Sequence, residues 1–257
     1  MFTKEDLKKQ LMQMGIKPSD YVLIHTSFKA VGPVEGGPEA FIDAFCEYLT
    51  DGMFIVPTHT WSNVSRKQPV YDVKTSVPCI GLIPRTAAFR PDGVRSLHPT
   101  HSVWVHGQGA AEFVAGEELA QTPAPVGFCW NRLAEIGTKI LLIGVTNSNN
   151  TFIHAVDEIA DLPNRLAPEP WDVTVIDEEG KQYTHPFRNH GRTGSENFCN
   201  FEEALVGTGA QTFGTLGDAQ VRIVDAAKCR DVILSIYAKT DEHLCLVRRP
   251  IPEELWK

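Results

Sequence analysis

His154, Asp157, Glu158 and Asp161 fall three, four and seven residues apart, a spacing that puts one imidazole and three carboxyls on a single helix face. These types suit base chemistry. An imidazole titrates near neutrality, and a carboxylate that accepts from its second nitrogen fixes the tautomer and stabilises the imidazolium. A surface ion pair has the same spacing and contributes little. The helix has its own signals: Asn149 or Asn150 as N-cap, Phe152, Ile153, Val156, Ile159 and Ala160 near helical period, and Pro163 as the stop. Before it, Lys139 to Val145 is an apolar run of strand length that ends at Gly144.

A second stretch with chemical content runs from Thr26 to Pro38. It carries Thr26, Ser27, Gly32, Gly36 and Gly37 between a strand (Asp20 to His25) and a helix (Glu39 to Leu49). Glycines let backbone N–H groups approach a phosphate, and the helix N-terminus adds positive potential. The stretch matches neither the Walker pattern nor the dinucleotide fingerprint, and an ordinary turn has the same composition. Thr58-His59-Thr60-Trp61-Ser62 follows another apolar strand, Gly52 to Pro57, where open α/β sheets collect ligands. His98 and His101 stand at a spacing that metal sites use. Pro99 between them opposes a helix, and no third ligand stands at a telling distance. The six cysteines are scattered without a Cys-x-x-Cys pair and read as reduced, mostly buried thiols.

The elements that must position these groups alternate. Helices are expected over Glu5 to Met14, Gly81 to Arg90 (starting at Pro84), Ala110 to Leu119, Phe128 to Ile136, Asn200 to Val206 and Asp225 to Tyr237. Strands are expected at Val103 to Val105, Ala219 to Val224 and His243 to Val247, and Ser65 to Pro78 reads as irregular. Trp171 to Ile176 and Lys181 to Thr184 flank Asp177-Glu178-Glu179-Gly180 as a hairpin. Alternation with a late hairpin predicts an α/β fold, a single layered domain over 1–257 with a central mixed β-sheet flanked by helices. With 42% hydrophobic and 22% charged residues the composition is that of an ordinary globular protein. A formal charge of −8 argues against a nucleic-acid partner. No apolar stretch approaches membrane-span length and no basic n-region opens the chain, so the expected location is cytoplasmic, away from the membrane.

In this order the chain resembles the aminoglycoside 3-N-acetyltransferase (antibiotic N-acetyltransferase) family. The matching words are His25-Thr26-Ser27-Phe28, Gly36-Gly37-Pro38-Glu39-Ala40-Phe41-Ile42-Asp43-Ala44, Val56-Pro57-Thr58-His59-Thr60 and Arg95-Ser96-x-His98-Pro99-x-His101-Ser102. They continue with Leu142-Ile143-Gly144-Val145, Asn150-Thr151-x-x-His154-x-x-Asp157 and Ala160-Asp161-Leu162-Pro163-Asn164, then Gly217-Asp218-Ala219 and Ile223-Val224-Asp225-Ala226.

The resemblance implies an acetyltransferase fold distinct from the GNAT class, with acetyl-CoA as co-substrate and a small-molecule amine, such as an aminoglycoside, as acceptor. It makes His154 the base, with Asp157 as its catalytic partner. It implies cofactor-binding residues His25, Thr26, Ser27, Phe28, Gly32, Val34, Gly36, Gly37 and Ser102, and acceptor-binding residues Tyr71, Asp72, His101 and Glu158. No metal ligand is assigned, and a homodimer is the assembly considered. Three departures stand out: Asp157 where the family pattern usually has glutamate, Arg85 where an acidic residue is expected, and the loop Asn189 to Ser195. The alternatives are a metal-dependent hydrolase built on His98, His101, His154 and Asp157, and a non-catalytic CoA-binding homologue.

Overall fold

The computed structural model describes residues 1–191, 194–240 and 244–257. The Thr3 hydroxyl accepts from Asp6 N and the Asp6 carboxylate accepts from Thr3 N, a capping box that starts the first helix. In chain order the elements are α1 (Lys4–Gln13), β1 (Tyr21–Thr26), α2 (Phe28–Val31), α3 (Gly37–Tyr48), β2 (Met53–Pro57), β3 (Val70–Asp72) and α4 (Leu82–Ala87). Then come β4 (Val94–Arg95), β5 (Val103–Gly107), α5 (Ala110–Phe113), α6 (Cys129–Glu135), β6 (Lys139–Ile143), α7 (Phe152–Ile159), β7 (Trp171–Ile176) and β8 (Gln182–Phe187). The last are α8 (Glu202–Gly207), β9 (Gln211–Leu216), β10 (Ala219–Asp225) and α9 (Ala226–Tyr237).

Seven strands form a mixed sheet in the order β4-β5-β2-β1-β6-β10-β9. The central trio β2, β1 and β6 is parallel, and the outer strands join antiparallel. The reason is in the side chains. Successive residues of a strand point to opposite faces, so an unbroken apolar run suits a strand covered on both sides. Val22, Ile24, Phe54, Val56, Leu141 and Ile143 pack on one face with Leu7 and Leu11 of α1 and Phe41 and Phe45 of α3. Leu23, Ile55, Ile140 and Leu142 pack on the other with Trp130 of α6, Phe152, Ile153 and Val156 of α7, and Ile233 and Ile236 of α9. The expected α/β architecture with a mixed sheet is what the structure has.

Several local expectations are corrected. The hairpin of β7 and β8 forms, but in a separate three-stranded sheet, order β3-β7-β8, where β3 pairs parallel to β7. A strand therefore lies inside the stretch read as irregular. Leu82 opens α4, ahead of Pro84, which sits in the first turn where no N–H is needed. The helix expected from Ala110 to Leu119 breaks at Gly116, left-handed at φ 86°, into α5 and a 3-10 turn. A 3-10 turn, Ser195–Phe201, precedes α8. His243 lies outside the described residues, and Leu244 to Val247 turn and bend where an edge strand was expected. Among the described residues no helix is long and apolar enough to cross a membrane.

Candidate active site

A cleft of about 590 Å³ opens at the C-terminal ends of the three parallel strands. Its walls come from Ile24, His25 and Thr26 at the end of β1, Val56, Pro57, His59 and Trp61 at the end of β2, and Val145 with Ser148 to Thr151 after β6. His154 of α7, Asn189 and His190 after β8, and Phe198 close it. This is where the strand-end rule for open α/β sheets places a ligand.

The helix that carries His154 is shorter than its sequence signals suggest. Asn147–Asn149 forms a 3-10 turn, Thr151 stands at the N-cap without a side-chain bond, and α7 ends at Ile159, ahead of Pro163. Asp161 is therefore off the helix, in the left-handed region at φ 52°, paired to Arg165 at 2.6 Å. His154 is buried, with its Nδ1 sealed off and unpartnered. Its ring lies 3.9 Å from that of His190 and 4.7 Å from that of Phe198. Burial, then the neighbouring His190 and His59, hold it well below the usual histidine range, so it is neutral at pH 7.

Asp157 does not hydrogen-bond to His154. Its Oδ1 accepts from the Tyr237 hydroxyl of α9 at 2.9 Å, while Oδ2 is buried and unpartnered. Burial pushes its carboxyl up to about 7. Each member of the expected pair thus keeps one idle buried atom, one helical turn apart. Glu158, expected at the acceptor, instead accepts from the Thr122 hydroxyl at 2.7 Å and Ala124 N at 2.9 Å, pinning the loop before α6.

His101 lines the cleft, its Nδ1 2.8 Å from the Thr100 hydroxyl and its Nε2 3.2 Å from His190 Nε2. His98 has no free nitrogen: Nε2–H donates to Thr122 O, and Nδ1 accepts from the amides of Thr100 and His101. The hydrolase alternative therefore loses one of its ligands. Among the described residues the grouping with metal-ligand types, Cys46, Asp92 and His106, contributes nothing to the cleft wall. Its carboxylate is already paired to Arg90 at 2.6 Å.

Of the expected cofactor residues, His25 and Thr26 reach the cleft; His25 Nε2 and Thr26 Oγ1 are buried without partners. The rest of that stretch is structural packing. Ser27 N donates to Ile143 O, Phe28 packs edge-on to Phe41 at 5.5 Å, and Val34 is buried beside Phe2. Gly32 is packed against the Asp218 side chain. The N–H groups of Gly32, Glu35 and Gly37 already donate to Lys29 O, Phe2 O and Val34 O, and Gly36 and Gly37 use left-handed φ to turn into α3. Two of the three glycine N–H groups that suggested a phosphate cradle are thus occupied by internal bonds. Ser102 is buried, its hydroxyl donating to Thr58 O. Tyr71 is fully buried in the small sheet, donating to Ser96 O, so it is a core residue and not an acceptor contact. Asp72 caps a turn through Lys74 N, away from the cleft wall.

Most of the other wall residues, His59 and His190 among them, were not assigned as site residues from the sequence. His59 is buried with Nε2 unpartnered, its ring 4.7 Å from that of His101 and 5.5 Å from that of Trp130. Trp130 also lies 6.3 Å from His25 and donates its indole N–H to His101 O. His59 had a signal, the polar word after β2. His190, in a loop, had none. His25, His59, His101, His190 and His154 thus form a continuous wall of imidazoles, all neutral because burial opposes their charge.

The sequence profile described as aminoglycoside 3-N-acetyltransferase matches residues 23–237. Aminoglycoside N(3)-acetyltransferase III of Serratia marcescens is 30% identical over 182 residues, covering 64% of this chain and 67% of that protein. Aminoglycoside N(3)-acetyltransferase IV of Salmonella sp is 27% identical over 233 residues, covering 90% and 84%. Among solved structures, an alanine variant of aminoglycoside acetyltransferase AAC(3)-IVa in complex with a gentamicin superposes with a TM-score of 0.81 at 23% identity, covering 96% of both chains. The binary complex of AAC-IIIb with CoASH gives 0.80 at 21% identity, covering 92% of this chain and 96% of that one. At these identities the superpositions carry the fold.

Proposed function

The chain belongs to the aminoglycoside 3-N-acetyltransferase family, and on that premise we propose that it transfers acetyl from acetyl-CoA to a primary amine of a small molecule, the relatives' 3-amino group being the model acceptor, with His154 as general base. The proposed compartment is the cytoplasm, where acetyl-CoA is supplied. One observation carries the assignment of the base: His154 is a neutral imidazole, held by ring contacts, at the end of the sheet where the cleft opens.

An amine is mostly protonated near pH 7 and cannot attack until it loses a proton. With Nδ1 sealed off, Nε2 is the nitrogen left to take that proton. The amine nitrogen then bonds to the thioester carbon and loses its second proton to water, the C–S bond breaks, and the CoA thiolate takes the first proton from the imidazolium, so that one proton is released to solvent for each amide formed. Thr26 Oγ1 and His25 Nε2 are unpartnered polar atoms sealed just behind the cleft wall, and after a side-chain rotation that exposes them they are the proposed donors to the carbonyl oxygen as it gains charge. Asp157 Oδ2, one turn from Nδ1, is the proposed acceptor for the imidazolium N–H once a small side-chain rotation brings the two together. Because burial lowers the His154 value, the acid limb of the kcat/KM profile is expected below pH 6.5.

The test is thiol release from acetyl-CoA with an amine panel. His154→Ala is expected to lower kcat by about 10² to 10⁴ and to leave CoA affinity, measured by calorimetry, within about twofold. A variant with normal turnover at saturating substrates removes His154 from the base role.

A further inference from the structure

Resting on the transferase reading above, we infer that the cleft selects an acceptor with a single amine on a neutral, flat-faced body over a polycationic one. Among the described residues that line the cleft there is no aspartate, glutamate, lysine or arginine. Its polar atoms come from asparagine, serine, threonine and histidine. A compound with several ammonium groups needs counter-charges wherever it is stripped of water, and a desolvated ammonium without one is costly.

Two acids close in sequence to the wall are turned away from it. Asp157 turns its carboxyl to Tyr237, and Glu158 is held by Thr122 and Ala124, both beneath the wall. Glu196 is exposed beside Ser195 at the rim. Arg85 is exposed next to Pro84, a wall residue, with its Nε donating to Pro78 O at 3.1 Å, and a guanidinium so close to the wall disfavours a cationic ligand. The five imidazoles of the wall carry no charge at pH 7, so they offer an ammonium group lone pairs but no counter-charge. What the mouth does offer is a flat apolar face: Trp61 lines the cleft while 51% exposed. A ring system with one amine can lay a face on that indole and deliver its nitrogen to His154.

The test compares two acceptors of equal size, aminocyclitol glycosides carrying one amino group or several, by thiol release from acetyl-CoA. The single-amine acceptor is expected to exceed the polyamine in kcat/KM by tenfold or more. Asn189→Asp, which places a carboxylate in the wall, and Arg85→Glu, which reverses the rim charge, should each move the ratio toward the polyamine by at least threefold. A wild-type ratio below ten, or a ratio that neither variant moves, overturns the inference while leaving the transferase reading intact. Release no faster than the amine-free rate with every acceptor overturns both.

Discussion

His154 is held by rings where a hydrogen-bonded carboxylate was expected, and under the proposed base role this makes His190 its positioning residue. With Nδ1 unpartnered, the imidazole plane is set by contact with His190 at 3.9 Å and Phe198 at 4.7 Å. Small displacements of a catalytic group cost rate steeply. His190→Ala should therefore lower kcat by about tenfold or more with CoA affinity unchanged, whereas His190→Phe, which keeps a ring against His154, should recover most of it. Steady-state kinetics on the two variants decide this, and equal losses in both would instead assign His190 a polar role. That His154, Asp157 and Glu158 share one helix was legible because helical periodicity is local, whereas Asp161 falls beyond its end. The His154–His190 contact was not, because it joins a helix to a loop 36 positions later, a distance over which no pattern in the chain reports.

At the level of elements, the approach of β6 to the loop after β1 fixes where the cleft opens. Gly144 ends β6 at φ 64°, and a Cβ there would collide with the Ala30 side chain of α2. Gly144→Ala combines a left-handed backbone with overpacking, so a loss of about 1–3 kcal/mol is expected, read as a lower urea midpoint at unchanged slope. Apolar runs long enough to bury both faces showed β1, β2 and β6 directly in the sequence, and turn chemistry showed the β7–β8 hairpin: Asp177 Oδ1 accepts from the amides of Glu179 and Lys181, and Gly180 is left-handed. Missed elements share one cause. β9 alternates weakly, includes Gly214 and leaves Phe213 half exposed at the sheet edge. β3 is three residues long and gains its partner, β7, about a hundred positions away. Edge and long-range strands are made by tertiary pairing, which propensity does not report.

Across the whole molecule the balance of buried titratable groups sets acid stability. Six imidazoles, the five of the wall and His98, are held below 6.5 in the fold, His25 and His98 to about 3 and His190 to about 4. Below pH 6.5 the unfolded chain takes up protons at these positions that the native state refuses. Asp157 and Glu117, raised to about 7, and Glu158, also raised, act in the opposite sense, binding protons in the fold that the unfolded chain releases. The imidazoles outnumber the carboxyls, so stability should fall from about pH 6.5 toward pH 4, by a few kcal/mol per unit at most since each net proton is worth about 1.4 kcal/mol per unit. Urea titrations at pH 7.5 and 5.5 measure this, and a midpoint that rises on acidification reverses the assignment. Trp130 gives that experiment its own optical readout. Its indole is buried against His25 and His59 and bonded to the His101 carbonyl, so its emission will respond when charge enters the wall or a ligand displaces water from the cleft. Comparison with Trp130→Phe isolates that emission from the other four tryptophans, and the same fluorescence channel then follows proton uptake and acceptor binding without a label.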